Sequence, residues 1–394
     1  MRKIVRVNVE KEEVKIEQTP SGYEFLGGRS LTSRILSHEV NPTCHPLSRD
    51  NKMILAPGLL SGTYAPCYDR LSMGTKSPLT EGIKESNSGG TAARAMAKLG
   101  IKALIIEGEP RKDRWYVLKL DKGGINLLPA GDLVGLGNFA VMEKIKASRD
   151  RDVSVICIGQ AGEMLLSAAA IAISDMHSRP GAFAARGGPG AVLGAKRIKA
   201  IVIDTRGTEK LPYHDENLFL RISKELSKEL IETKKLLTEY GSLFLMNIVQ
   251  REGCRPTRNY SQGQFEGHDK MAPETYVELI KKRKGRISDA CMPGCPIRCK
   301  SVYNNKEGKF LSTTVQYETA IMLGSNCGIA DWDAIAYMNK LCNDYGVDTI
   351  DVGSAIGVAM EGGLLKFGDS QGVIELITEI GKENALGRII GSGS

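Results

Sequence analysis

The chain has 394 residues, 42% of them apolar and 25% charged, with a formal net charge of +7. That is enough for at least two folded cores, and the composition is that of a globular protein, not a disordered one. The positive excess is spread out except at Lys281-Lys282-Arg283-Lys284-Gly285-Arg286; no aromatic residues interleave with it, which argues against nucleic-acid binding, and no apolar stretch is long enough to span a bilayer.

In chain order, the first half reads as strands broken by glycine turns. Strands are expected at Lys3–Val9, Glu13–Glu17, Lys52–Ala56, Ala103–Glu109, Trp115–Leu120, Val153–Ile158 and Ala200–Asp204. Two stretches resemble each other. Asn87-Ser-Gly-Gly90 leads, after a short helix-like segment, to Ile101-Lys-Ala-Leu-Ile-Ile-Glu-Gly; Arg186-Gly-Gly-Pro-Gly190 leads at nearly the same distance to Ile198-Lys-Ala-Ile-Val-Ile-Asp. An internal duplication would leave this trace. The second half is helical in pattern. Glu216–Glu239 has apolar residues at helical spacing, Pro273–Lys284 and Asp331–Tyr345 follow, with Asp331 as N-cap and Gly346 just past the end. Val352–Met360 reads as a small-residue helix and Leu376–Lys382 begins a further short one. The fold class expected is α+β: a β-rich domain over residues 1–207 with an internal pseudo-twofold, then a mostly helical domain over 208–394 that stops without a closing element.

The tightest chemical constraint is Cys291-Met-Pro-Gly-Cys295-Pro-Ile-Arg-Cys299. Thiolates are soft anionic ligands, and Pro293, Gly294 and Pro296 supply a turn that aims them at one centre. Three close cysteines pair poorly as disulfides, and nine cysteines without an apolar leader imply a reducing cytoplasm. Iron–sulfur, structural zinc and incidental buried thiols all remain readings of the spacing, and Cys327 and Cys342 read as small buried residues or as a fourth ligand.

Arg70, Asn87 and Gly89 form a second constellation: a planar cation, an amide carbonyl of the kind Mg²⁺ accepts, and a glycine pair whose N–H groups can face an anion. Its plain alternative is a capped turn. Gly181-Ala-Phe-Ala-Ala-Arg186-Gly-Gly-Pro-Gly190, with Phe183, Ala185 and Arg186, offers the same tools or a tight hairpin. This second stretch matches neither a dinucleotide nor a P-loop fingerprint. Glu318, Asn343 and Asp348 are polar candidates in the helical half, each also readable as a cap or solvated group, and the basic run reads as a helix end or as a docking patch for an acidic redox partner.

Taken together, Leu26-Gly-Gly-Arg-Ser-Leu, Ala56-Pro-Gly-Leu-Leu-Ser-Gly-Thr, Thr75-Lys-Ser-Pro-Leu-Thr, Ser86-Asn-Ser-Gly-Gly, Ala185-Arg-Gly-Gly-Pro-Gly-Ala-Val-Leu-Gly, the cysteine cluster and Leu341-Cys-Asn-Asp-Tyr-Gly-Val-Asp-Thr-Ile resemble the aldehyde ferredoxin oxidoreductase family, tungsten enzymes of anaerobic metabolism. The resemblance implies a β-rich base for two molybdopterin-type cofactors, closed over by two helical domains, the last largely absent here. By resemblance, Arg70 lies between cluster and pterin, and Asn87 and Gly89 hold pterin phosphate and its magnesium. Phe183 (through its carbonyl), Ala185 and Arg186 form the second phosphate turn. Cys291, Cys295 and Cys299 ligate a [4Fe-4S] cluster, Glu318 is an acid near the metal, and Asn343, Val347 and Asp348 belong to a pterin-holding loop. The sequence departs from the family in a three-residue first cysteine gap, Asn343 in place of an acid, and a bulky Phe183. In the family the fourth cluster cysteine, the second pterin loop and the substrate-pocket acid–base residues lie in the C-terminal domain, which the resemblance implies is largely missing here.

The implied reaction is oxidation of an aldehyde to a carboxylic acid by a tungsten (or molybdenum) bis-pterin, with electrons passing through the cluster to ferredoxin or another acidic electron-transfer protein, in a possible homodimer. The alternatives are a non-catalytic or partner-completed electron-transfer subunit, a tungsten subunit of a benzoyl-coenzyme A reductase-like complex, and a structural zinc protein.

Overall fold

The computed structural model describes residues 2–111, 113–148 and 153–394. Its first part runs β1 (Lys3–Asn8), β2 (Glu13–Glu17), α1 (Gly28–Glu39), β3 (Met53–Pro57), β4 (Leu71–Lys76), β5 (Ile83–Ser88), α2 (Ala92–Lys98) and β6 (Ile101–Glu107). It then runs β7 (Tyr116–Asp121), β8 (Gly124–Pro129), α3 (Asn138–Ala147), β9 (Val153–Cys157), α4 (Gln160–Glu163), β10 (Ile171–Ser174), β11 (Pro180–Ala184), α5 (Pro189–Ala195) and β12 (Ile198–Asp204). These strands form two six-stranded sheets, β2-β1-β6-β3-β4-β5 and, read from its other edge, β8-β7-β12-β9-β10-β11. The second order is the first with every strand advanced by six. In each sheet one central pair is parallel, β1 with β6 and β7 with β12, and the rest antiparallel.

The repetition extends to an irregularity. The β1–β6 register slips between Ile101 and Ala103, and the β12–β7 register slips between Ile198 and Ala200. The residues passed over are Lys102 and Lys199, both buried. Each ammonium reaches a carbonyl beyond the short 3₁₀ turn of its own half: Lys102 donates to Glu24 O at 2.7 Å and Lys199 to Leu136 O at 2.8 Å. A bulge that turns a lysine toward buried carbonyls satisfies its charge with dipoles instead of water.

Both faces of each sheet are covered, which is why the central strands read as nearly unbroken apolar runs. One core holds Val5, Met53, Leu104 and Ile106 of the first sheet with Leu118, Ile156, Ile201 and Ile203 of the second. The outer face of the first sheet packs on Leu31, Ile35 and Leu36 of α1, and that of the second on Val141, Met142 and Ile145 of α3.

The remainder is mostly helical: α6 (Glu216–Thr233), α7 (Lys235–Tyr240), α8 (Leu245–Arg251), α9 (Pro273–Lys282), β13 (Arg286–Asp289), β14 (Lys300–Asn304), β15 (Phe310–Thr313), α10 (Tyr317–Met322), α11 (Trp332–Tyr345), α12 (Thr349–Glu361), α13 (Ser370–Glu379) and α14 (Ala385–Gly391). The three short strands make one antiparallel sheet. Tyr276 stacks on Tyr303 at 5.5 Å and tilts against Trp332 at 4.6 Å, joining α9, this sheet and α11. The long helix expected over Glu216–Glu239 breaks at Lys234, whose φ of −111° and ψ of 26° interrupt α6 and α7. Within the basic run, Arg283 is removed from solvent: its fork pairs with Asp333, and Tyr303 Oη donates to the same carboxylate at 3.0 Å.

The fold resolves into two compact units. The first takes in Met1–Leu226, Met292–Gly294 and Asp344–Gly346; the second takes in Ser227–Cys291, Cys295–Asn343 and Val347–Ser394. No helix among the described residues is long and apolar enough to cross a membrane.

Candidate functional site

In the first unit, the two glycine turns follow the two edge strands β5 and β11. Asn87 sits on β5 opposite Ser72 of β4 and donates to its hydroxyl at 3.1 Å. Exposed Arg70, the residue just before β4, places Nε on Asn87 Oδ1 and Nη2 on the Asn87 carbonyl at 3.2 Å. A fork held this way lies flat along the turn, with one Asn87 Oδ1 lone pair left over for another partner. Next to it, Ser88 Oγ is buried and has no hydrogen-bond partner. It pairs in the ladder with the core residue Leu71, so its side chain lies on the face of the sheet opposite Asn87. Gly89 is buried, and Gly90 turns the chain at φ +89° into α2.

The second turn repeats that step. Gly187 stands as far ahead of Ile198 as Gly90 does of Ile101, and its φ is also +89°. Ala185 is half-buried and Arg186 exposed at the turn. Phe183 pairs with Ala172 in the ladder and packs its ring against the α3 core, so only its backbone faces the turn region. The turns are neighbours: Ser77 Oγ, past the end of β4, donates to Gly187 O at 2.8 Å, while Thr91 N, after Gly90, donates to Ser174 O at 3.0 Å. The sheet topology therefore brings together two cradles that lie far apart in sequence, each with an arginine, freely turning glycine and exposed backbone. Such a set can grip anionic oxygens.

In the second unit, the three cysteines gather. Cys291 and Cys295 are buried and Cys299 half-buried. Hydrogen bonds to Cys295 and to Cys299 hold the proton on Cys291 and push its pKa up. The bond from Cys291, helped by Lys300, draws Cys299 down to about 7 despite burial. Among the described residues no three His, Cys, Asp or Glu side chains are arranged around a single ion. Three thiols gathered this way have the donor chemistry of terminal ligands to a sulfide-bridged iron cluster, where each cysteine takes a different iron. Cys327 and Cys342 lie elsewhere in helical packing, both fully buried, with burial raising their pKa, that of Cys327 to about 12.

Glu318 lies half-buried in the first turn of α10, beside Tyr317, whose pKa is raised by burial and then by Cys254 and Glu318. Asn343 is buried in the last turn of α11, Val347 N donates to Cys342 O at 2.9 Å, and Asp348 caps α12 by accepting from Ile350 N at 3.3 Å. Two residues near these elements were given no role by the sequence, although Asp344 lies inside the Leu341–Ile350 stretch. Arg255 is fully buried, stacked 5.3 Å over Phe265, with Nε on Ser325 Oγ, one Nη on His268 and the other Nη unpaired; burial lowers its pKa to about 10. Asp344 accepts from Phe139 N at 3.0 Å. An arginine before proline and an aspartate inside a helical run are too common to single out; only the close approach of other chain segments distinguishes them.

Comparison with known proteins agrees with this architecture. The family model for the aldehyde ferredoxin oxidoreductase N-terminal domain matches residues 4–205, and that for domains 2 and 3 matches residues 221–394. Tungsten-containing aldehyde ferredoxin oxidoreductases of Thermococcus kodakarensis and Pyrococcus furiosus are each 32% identical over 91% of this chain; the chain spans 58% of their length. An aliphatic sulfonate oxidoreductase WOR-like subunit of Pyrococcus furiosus is 25% identical over all of this chain and 66% of its own. Among solved structures, the active-site complex BamBC of benzoyl coenzyme A reductase with 1,5-dienoyl-CoA shares the fold, with a TM-score of 0.83 over all of this chain and 62% of that one, at 23% identity. On these matches to both halves, the chain belongs to the aldehyde ferredoxin oxidoreductase family.

Proposed function

We propose that this chain holds a tungsten bis-pterin cofactor and a [4Fe-4S] cluster and serves the oxidation of an aldehyde to its carboxylic acid in a reducing cytoplasm, with ferredoxin or a similar acidic protein as electron acceptor. The observation that carries the reading is the pair of adjacent glycine cradles that the duplicated sheets create. The cofactor would supply the two-electron chemistry, and molybdenum fits the same donor set.

The chain's own residues would bind, orient and shield. Asn87 would offer its free lone pair to Mg²⁺ between phosphates, with Gly89 lending backbone, while Arg70 offsets phosphate charge. Arg186, Ala185 and the Phe183 carbonyl would serve the second phosphate group. Asn343, Val347 and Asp348 would hold the far edge of a pterin. Cys291, Cys295 and Cys299 would each take one iron of the cluster. Glu318 would hold a proton at its carboxylate beside the substrate, with Tyr317 next to it. Residues 1–207 would form the cofactor-binding domain and 208–394 the mostly helical domain that carries the cluster cysteines, in a chain that would pair as a homodimer.

Elemental analysis and pterin detection on anaerobically purified protein test this. Tungsten or molybdenum with pterin, and iron near cluster stoichiometry, are expected. Protein with neither heavy metal nor pterin, or with stoichiometric zinc in place of iron, overturns the reading.

A further inference from the structure

The helix α3 begins at Gly137, which has no side chain with which to cap it. The amide of Phe139 in its first turn donates instead to Asp344 Oδ1, from a residue more than half the chain away. The backbone is shaped around this contact. A Cβ on Gly137 would stand 2.3 Å from that carboxylate oxygen, and one on Gly159 2.3 Å from the Tyr345 carbonyl oxygen. Ala170 N, just ahead of β10, donates to Gly346 O at 2.7 Å. Gly346 turns at φ +75°, and a Cβ there would stand 3.0 Å from Gly159 N. Three successive residues are thus each seated on a different segment of the second sheet's half: the start of α3, the loop after β9 and the approach to β10. Asp344–Gly346 belongs to the same compact unit as both cradles.

We propose that Asp344 is the positioning residue of the cofactor-holding loop: its carboxylate, seated on the first turn of α3, fixes the tripeptide whose flanks are Asn343 and Val347–Asp348. The inference rests on the bis-pterin reading above. An anion meeting an uncapped helix start gains a charge-assisted hydrogen bond and the favourable end of the helix dipole. The glycines opposite it leave no slack, so the loop has one seat. Asp344 does not itself need to touch the cofactor; it acts through the backbone on either side.

The test compares wild type with Asp344→Ala and Asp344→Asn, all purified anaerobically with cofactor. Four quantities are read: pterin released on dialysis, iron per chain, melting temperature, and amide exchange at Phe139 and Ala170. Asp344→Ala is expected to release pterin about tenfold faster, which corresponds to about 1.4 kcal/mol. Exchange at both amides should rise while iron and melting temperature stay near wild type. Asp344→Asn, which keeps an acceptor oxygen but not the charge, should fall between. Wild-type retention of pterin in Asp344→Ala with faster exchange at Phe139 overturns the inference alone, because the latch is then open and the cofactor indifferent. A fall in iron and melting temperature in step with pterin, in both variants, also overturns it in favour of a general structural role. Wild type lacking pterin altogether sinks the functional reading itself.

Discussion

Replacing Gly90 by alanine tests whether the first cradle is as tightly built as its geometry implies. Two costs add. A side chain at φ +89° meets left-handed strain of about 1–2 kcal/mol. Its Cβ would also lie 2.7 Å from Ile173 Cγ2 and 2.9 Å from Ser174 O, an overpacking worth about 1–3 kcal/mol. The expected loss is therefore about 2–5 kcal/mol in the first unit. Gly100 separates the two costs: its φ is +71° and nothing lies within 4 Å of its Cβ position, so Gly100→Ala should lose only the strain, about 1–2 kcal/mol. Gly187→Ala has the strain of Gly90, but its Cβ meets Lys84 Cγ, whose flexible chain can swing aside; its loss should fall between the two. Urea unfolding of the three variants at equal cofactor loading, with midpoints compared at a common slope, gives the ranking. If Gly90→Ala costs no more than Gly100→Ala, Ile173 and Ser174 yield freely and the packing argument for a rigid cradle fails.

The duplicated lysines should not be equivalent. Lys199 donates to the carbonyls of Leu136 and Ile158, each at 2.8 Å, and pairs with Glu163 at 2.5 Å, so Lys199→Met leaves two carbonyls unpaired and a half-buried carboxylate with only Gly135 N, and should cost about 3–5 kcal/mol. Lys102 holds one carbonyl, and Lys102→Met should cost about 1–2 kcal/mol; equal melting temperatures for the two would contradict the hydrogen-bond assignment. His268 is held below its ordinary pKa by burial and then by Arg255. The unfolded imidazole takes up its proton near pH 6.5 and the folded one only at lower pH, so stability should fall as pH drops below about 6.5. Arg255→Met should flatten that slope and move the imidazole titration upward by NMR, and an unmoved titration would refute the coupling. Serine at Cys291, Cys295 or Cys299 should each lower iron per chain, whereas serine at exposed Cys254 should leave it unchanged; equal iron loss at Cys254 would count against the cluster.

Strands buried on both faces were legible because their apolar runs are nearly continuous: Ile101–Glu107 and Ile198–Asp204 both lie within a residue or two of where alternation and β-branching place them. So were the ends of α11. Asp331 Oδ1 accepts from Asp333 N at 2.8 Å, and Gly346 turns left-handed just beyond Tyr345. The strands that carry the cradles were not legible. Leu71–Lys76 and Ile83–Ser88 are rich in serine, glycine and charge, and Pro180–Ala184 looks like a turn by composition. Their pairing comes from neighbours across the sheet, not from local preference. That the three cysteines gather could be read from their spacing, because a tight turn is a local property. The Asp344 contact with α3 could not, since a bond between segments so distant leaves no periodic mark.

The repeat also shows where the two halves have parted. Gly90 and Gly187 keep the same step and the same φ, so the turn geometry is common to both. The residues entering β4 and β10 are not alike. Arg70 precedes β4 and lays its guanidinium on Asn87; Ala170 precedes β10, has no charge to offer, and gives its amide to Gly346 instead. In the first half the cation at the turn comes from the residue just ahead of the strand, and in the second from Arg186, within the turn itself.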